Sequence, residues 1–335
     1  MRILIVAPAW IGDMVMTDTL VQNLRRRHHD AEIHLLAPSA TRSVAERLEG
    51  VQAVHELKAG HGELALGERW RFANMLCALR FDWAIVLPNS LKSALIPWFA
   101  GIPRRTGWLG EQRRGLLNDW RRLDEAVLPL QIERFMALGI EATESLTRPY
   151  PEPRLRADKN AALQVATALK LNLDAPITVL CPGAEYGPAK RWPSEHYAVV
   201  ARHVIEGGGE AWLMGGHKDV DVCNEIVAQV GKAGVQVLAG KTRLGEAIDL
   251  MSLATRVICN DSGLMHVAAA LGVPVTAIYG STSPDFTPPL SPQAKVVRLG
   301  LSCSPCFKRE CPLGHLNCLR TLTPDRVIAV SEAAA

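Results

Sequence analysis

At 335 residues the chain is too long for one ordinary core, so two domains of usual size are expected. Hydrophobic residues make up 48% and charged residues 21%, which excludes a disordered or fibrous chain. The net charge of +3 is too small to point to nucleic acid, so local clusters of arginine carry more information than the total.

The first nine residues, Met1 to Ala9, hold an apolar run far shorter than a signal peptide needs, and Gly12-Asp13 follows at once. They read as a first buried strand. No stretch reaches transmembrane length without charge. A cytoplasmic chain is expected, and its eight cysteines are then thiols or metal ligands rather than disulfides.

In chain order, a strand from Arg2 to Ala7 runs into Pro8-Ala9-Trp10-Ile11-Gly12-Asp13. A helix follows with Met14, Val15, Leu20, Val21 and Leu24 on its apolar side, and Arg25-Arg26-Arg27 suit its carboxyl end. Next come a strand (Glu32 to Ala37), a helix (about Thr41 to Leu48), a strand (Ala53 to Leu57), a polar loop with His61, a helix (about Gly67 to Leu79) and a strand (Trp83 to Leu87). Repeated strand-helix alternation implies a parallel sheet with helices on its faces.

Gly12-Asp13 falls at a strand's carboxyl end, where doubly wound sheets bind ligands. By spacing alone Asp13 could equally be an acid supporting a helix N-terminus. No G-x-G-x-x-G occurs, so no dinucleotide fingerprint is present. Asn89, Ser90, Lys92 and Ser93 form a second polar strand end. The segment from Gly101 to Arg122 carries Arg104, Arg105, Arg113, Arg114, Arg121 and Arg122 with Trp108 and Trp120 interleaved. It suits an anionic partner, and a solvated charged face is the plainer alternative.

Thr147 to Pro153 (TRPYPEP) reads as a linker. A second alternation follows: a helix (about Asp158 to Leu169), strand Ile177 to Cys181, a helix from about Ser194, strand Glu210 to Met214, a helix from about Asp219, and strand Val235 to Leu238. Between Cys181 and Pro193 lies a long loop whose far end carries Lys190 and Arg191. Gly240-Lys241-Thr242 ends like a phosphate-binding loop, but Val235 stands where its first glycine belongs, so it is rejected. Asp219 and Asp221 resemble a metal-binding pair, yet capping a helix start is the safer reading.

The stretch from Arg256 to Gly280 reads as strand, polar turn, helix and strand, one βαβ unit. Its turn, Asn260-Asp261-Ser262-Gly263, offers a helix N-terminus that favours a phosphate, with Asp261 or Ser262 as cap. His266 falls one turn in, on the same side as Ser262. Near the end, Cys303, Cys306, Cys311 and Cys318, with His315 between, have metal-like spacing without matching the usual two-knuckle zinc pattern. A structural metal and a set of reduced thiols both remain open.

Several of these segments together carry a resemblance. Ala9 to Met14, Leu87 to Ser90, Lys92 to Ala94, Ala100 to Gly107, Gly115 to Asp119, Pro182 to Trp192, Asn260 to Ala270 and Tyr279 to Leu290 resemble the ADP-heptose:lipopolysaccharide heptosyltransferases of glycosyltransferase family nine. The resemblance covers nearly the whole chain. It implies an α/β protein of GT-B architecture, two facing Rossmann-like domains with parallel sheets and a cleft between them. Residues 1–153 would bind the acceptor and residues 154–335 the nucleotide sugar. The implied reaction is inverting transfer of heptose from ADP-heptose to the first heptose of the lipopolysaccharide inner core.

The resemblance assigns Asp13 as general base and Lys190 as the cation at the donor diphosphate. Gly12, Asp261, Ser262, Gly263 and His266 would join Lys190 around the donor, and Asn89, Lys92, Arg104 and Arg105 would face the acceptor. No cofactor and no catalytic metal are implied, and no nucleic-acid partner. The protein would be cytoplasmic, touching the inner face of the cytoplasmic membrane peripherally. Transfer to another inner-core position stays open, as do a sugar-nucleotide epimerase and a non-catalytic binder of anionic glycolipid or nucleic acid. The binder would rest on the arginine-rich segment and predicts no turnover of a sugar nucleotide.

Overall fold

The computed structural model describes residues 1–58, 65–231 and 233–333, so His61 lies outside the described residues. The chain divides into two compact units, Met1–Leu155 and Arg156–Ala335. Each is a twisted sheet of six strands, all pairs parallel, with helices as connections.

In the first unit the elements run β1 (Arg2–Val6), α1 (Ile11–Arg27), β2 (Glu32–Pro38), α2 (Arg42–Ala45), β3 (Ala53–Leu57), α3 (Leu66–Cys77), β4 (Trp83–Val86), α4 (Leu91–Phe99), β5 (Arg104–Trp108), β6 (Asp119–Arg121) and α5 (Gln131–Ala137). The strand order is β3-β2-β1-β4-β5-β6. Central strands β1 and β4 are apolar at nearly every position because helices cover both faces of a parallel sheet. Ile3, Leu4 and Ile5 are fully buried, as are Ala84, Ile85 and Val86 beside them.

The second unit repeats the plan: α6 (Lys159–Ala168), β7 (Ile177–Cys181), α7 (Ser194–Glu206), β8 (Glu210–Leu213), α8 (Val220–Val230), β9 (Val235–Val237), α9 (Leu244–Met251), β10 (Arg256–Asn260), α10 (Gly263–Ala270), β11 (Val275–Ile278), β12 (Ala294–Val297), α11 (Asn317–Arg320) and α12 (Pro324–Glu332). Its strand order is β12-β11-β10-β7-β8-β9. In each sheet the chain leaves the middle in both directions, so each has a switch point. One lies between β1 and β4 and the other between β7 and β10.

The structure adds elements that the sequence pattern hides. Strands β5 and β6 lie inside the arginine-rich segment, whose polar residues break the apolar run expected of a parallel strand. Pairing to β4, not propensity, holds β5 extended. Helices α5, α9, α11 and α12 and strand β12 are short and were likewise not foreseen.

The proline run expected as a linker is a strap on the first unit. Arg148 Nη2 and the Tyr150 hydroxyl both donate to the buried Glu133 carboxylate, at 2.7 and 2.8 Å. Gln22 Nε2 donates to Glu152 O at 2.8 Å, and Arg154 N–H donates to Asp18 at 2.8 Å. Among the described residues no helix is long and apolar enough to cross a membrane.

Candidate active site

In the second unit the loops that follow β7 and β10 flank the switch point. Asn260, the last residue of β10, is fully buried and ties them together. Its Nδ2 donates to Pro182 O at 2.7 Å, and its Oδ1 accepts from Trp192 N–H and the Tyr197 hydroxyl, both at 3.1 Å. One amide thus fastens both ends of the long loop foreseen from the sequence. With its ends fixed, that loop carries Lys190 back over the end of β10. Lys190 Nζ stands 2.6 Å from Asp261 Oδ2, and 5.0 Å from the centre of the Tyr186 ring. Thr282 Oγ1, just past β11, donates to the same carboxylate oxygen at 2.5 Å.

The expected cap on α10 is not made. Asp261 is turned to Lys190 and Thr282, and Ser262 Oγ lies 3.3 Å from Cys259 Sγ. Ser262 makes no capping bond, and among the described residues no other side chain caps the helix. Its first-turn N–H groups and dipole are therefore available to an anion beside the Lys190 ammonium.

His266, in the second turn of α10, is 6% exposed. Burial pushes its pKa down to about 4; nearby Asp261 pulls it up and Lys190 pushes it further down. At neutral pH it is an uncharged imidazole, able to exchange a hydrogen bond without adding charge. Asp219 caps a helix start as expected, accepting Gly216 N–H at 2.9 Å at the turn that leads into α8. A Cβ at Gly183 or Gly215 would fall 2.3 or 2.7 Å from Asp219 side-chain atoms, so both glycines are needed for the turn after β8 to pack on the loop after β7.

In the first unit Gly12 and Asp13 follow β1 at its switch point. The sequence placed them in a turn; helix α1 already begins at Ile11, so they lie in its first turn, with Gly12 buried and Asp13 half-buried. Asn89 and Lys92 follow β4, on the other side of that switch point, and are exposed and half-exposed. The structure therefore brings Asp13, Asn89 and Lys92 to one sheet edge in this unit. Lys190, Asp261, Ser262, Gly263 and His266 meet at the corresponding edge of the other.

Arg104 and Arg105 depart from their expected place. They open β5 and pair with Trp83 and Ala84 at the amino edge of the sheet, opposite the edge that carries Asn89 and Lys92. Arg104 bonds Asp119 at 3.0 Å and Glu141 at 2.9 Å and stacks 4.4 Å from the Trp83 ring centre. Arg105 donates to the Leu116 and Ile102 carbonyls at 2.7 and 2.5 Å. Nor is the arginine-rich segment one basic face. Arg121 is paired with Asp119, and Arg113 is wholly buried, leaving Arg114 and Arg122 as its exposed members.

Arg113 is the residue that the sequence reading misjudged most. Its guanidinium donates to Pro88 O (2.5 Å), Ser90 O (3.1 Å), Trp108 O (2.6 Å), Ser93 Oγ (3.1 Å) and Asn89 Oδ1 (3.3 Å). It shapes the loop that presents Asn89 and Lys92. Burial lowers its pKa to about 10, which leaves it charged at neutral pH. No local pattern distinguishes it from the arginines around it. For Thr282 a signal did exist: the hydroxyl run Ser281-Thr282-Ser283 follows a strand end.

Residues 69–317 match glycosyltransferase family 9 (heptosyltransferase). The chain is 43% identical to lipopolysaccharide heptosyltransferase 2 of Escherichia coli K12, over 98% of this chain and 97% of that one. It is 41% identical to lipooligosaccharide heptosyltransferase 2 of Haemophilus ducreyi, again over 98% and 97%. The solved structure of E. coli ADP-heptose lps heptosyltransferase II superposes with a TM-score of 0.88 at 41% identity, covering 98% of this chain and 97% of that one. With two parallel α/β units of the GT-B kind, the chain is a glycosyltransferase and belongs to family 9, the heptosyltransferases.

Proposed function

We propose that the protein transfers heptose, with inversion, from ADP-heptose to the first heptose of the lipopolysaccharide inner core. The observation that carries this reading is the whole-length similarity to lipopolysaccharide heptosyltransferase 2. The geometry supplies a mechanism consistent with it. The second unit holds the donor, with Lys190 and the uncapped N-terminus of α10 facing the diphosphate. The first unit holds the acceptor, with Asn89 and Lys92 near its sugar and acidic groups.

Inversion requires one in-line displacement at the anomeric carbon. Asp13 takes the proton of the acceptor hydroxyl as the new bond forms. Negative charge grows on the departing ADP, and Lys190 with the α10 amides meets it. Asp261, itself held by the Thr282 hydroxyl, orients Lys190 by taking one of its three N–H donors, leaving the others for phosphate oxygens. Neutral His266 contributes a hydrogen bond without competing for the diphosphate charge. An acceptor carried on lipid brings the enzyme to a membrane surface. There, exposed Trp70 and Trp98 on α3 and α4 are side chains suited to the interfacial layer.

The test is mass spectrometry of defined inner-core acceptors incubated with the protein and ADP-heptose. A gain of one heptose on an acceptor that already bears the first heptose is the expected product. Heptose added only to a core lacking it would overturn the acceptor assignment, and no addition to either would overturn the transfer itself.

A further inference from the structure

Between the end of β12 at Val297 and the start of α11 at Asn317 the chain runs without regular helix or strand. So long an irregular loop in a compact unit needs something to hold it. Apolar packing is a poor candidate, since Phe307 and Leu313 are 49% and 61% exposed. What the loop does enclose is a cavity of about 20 Å³, lined by Cys303, Cys306, Cys311, Cys318 and His315. That is room for a single small atom or water, yet the surroundings are mostly sulfur and carbon.

The backbone turns sharply after Cys311. Gly314 N–H donates to Cys311 O at 3.1 Å and closes a tight turn there. Gly314, at φ +71°, supplies the left-handed conformation that this turn uses. His315 belongs to the wall only, because its Nδ1 accepts Asn317 N–H at 3.0 Å and its proton therefore sits on Nε2. All four loop cysteines are free thiols. As they stand, among the described residues, no three His, Cys, Asp or Glu groups are arranged to hold an ion. A cysteine sulfur moves from one staggered well to another by a single χ1 rotation, so a shared ion can gather sulfurs that already ring one cavity.

We propose that Cys303, Cys306, Cys311 and Cys318 form a tetrathiolate site for one thiophilic divalent cation of the zinc type. Each ligating thiol gives its proton to solvent as the metal-sulfur bond forms. The ion staples a loop that in turn supports the catalytic one. Cys306 N–H and Phe307 N–H donate to Ser281 O, at 3.1 and 2.7 Å, and Ala189 N–H donates to Arg309 O at 3.0 Å. The Tyr186 hydroxyl donates to Phe307 O at 2.7 Å, and Gly187 packs so closely that a Cβ would lie 2.5 Å from Arg309 O. Lys190 thus rests on the cysteine loop, and the ion acts on it through position, not chemistry.

The experiment is independent of heptose transfer. Protein incubated with excess Zn²⁺ and freed of unbound metal is analysed by elemental mass spectrometry, and a Co²⁺-loaded sample by absorption. About one metal per chain is expected, with four sulfurs at about 2.3 Å in X-ray absorption at the zinc edge. Sulfur-to-cobalt charge-transfer bands should accompany it. Cys318→Ser should lose the metal, while Cys77→Ser, outside the cluster, should keep it. Should Cys318→Ser fail to fold, the sulfur count from the wild-type absorption edge still decides. Wild-type protein that retains no metal overturns the proposal, as does metal bound through nitrogen or oxygen, or metal lost equally from Cys77→Ser.

Discussion

Lys190 Nζ and Asp261 Oδ2 lie 2.6 Å apart although their loops leave adjacent strands, β7 and β10, from which the chain proceeds in opposite directions across the sheet. The pair spans the switch point where a sheet of this order binds its ligand. Because Asp261 is 4% exposed, its charge depends on Lys190 for compensation, and the two residues should be tested together.

Lys190→Met should lower turnover by roughly 10²–10³, as loss of one preorganised donor to developing charge does. It should also destabilise the fold by up to about 3–5 kcal/mol, because Asp261 is left buried with Thr282 alone. Lys190→Met with Asp261→Asn should recover most of the stability and little of the turnover. Urea unfolding alongside ADP-heptose turnover separates the two effects. A double variant that regained turnover would remove Lys190 from the chemistry.

Two arginines should behave oppositely to their exposure. Arg113→Ala removes a buried guanidinium that satisfies backbone carbonyls at 2.5 to 3.1 Å, so several kilocalories of stability should go, roughly 3 kcal/mol or more. Its surviving fraction should show a raised acceptor KM, since the loop holding Asn89 and Lys92 loses its anchor. Arg104→Ala, at the amino edge, should cost about 1 kcal/mol and leave acceptor KM nearly unchanged. Lys92→Ala should raise acceptor KM most at low salt. An acceptor defect in Arg104→Ala equal to that of Lys92→Ala would contradict this division.

Asp18 gives a pH dependence of unusual sign. Burial raises its pKa to about 6, with Arg154 N–H and Gln22 bonding one oxygen and pulling it back, while Oδ1 has no hydrogen-bond partner among the described residues. Between about pH 4 and that value the folded state holds a proton that the unfolded chain has released. Its contribution is therefore favourable in acid and is lost as pH rises through this window. His266, kept neutral down to about 4, acts the other way: its contribution is present above about pH 6.5 and is lost as pH falls. In Asp18→Asn the opposing term is gone, so stability should rise more steeply from pH 4 to 6 than in wild type. The extra slope should approach but not exceed about 1.4 kcal/mol per pH unit. Parallel denaturation curves at every pH would show that Asp18 does not titrate there.

What the sequence made legible was whatever periodicity and turn chemistry encode. The apolar runs of β1, β4, β7 and β10 were plain, and so were the polar strand ends that carry Asp13, Asn89, Lys190 and Asp261. Hidden were elements set by tertiary pairing, such as β5, whose Arg104 and Arg105 read as a ligand face until the sheet put them at its far edge. Arg113 was opaque for a related reason. A buried arginine and a solvated one have the same neighbours in sequence, and only the carbonyls that converge on it distinguish them. The missing cap on α10 belongs here too, since Asp261 chooses between a helix end and Lys190 only once β7 and β10 are side by side.

Asp13 is the most direct test of the proposed mechanism. It is the third residue of α1, just beyond the carboxyl end of β1, and stays half-buried. A carboxylate in the first turn is favoured by the helix dipole whether or not it touches substrate, so position alone fits both a base and a structural acid. Asp13→Asn separates them. The amide keeps nearly the same volume but cannot take a proton. A lost general base costs roughly 10²–10⁴ in rate, so kcat should fall by that factor, with donor affinity unchanged within a few-fold. The residual rate should also lose the rise with pH that a titrating base imposes. A structural acid would instead lower the unfolding midpoint while the pH profile of the surviving activity kept its shape. Near-normal turnover in a normally folded Asp13→Asn would return Asp13 to the role of helix acid and leave the acceptor's proton to another group.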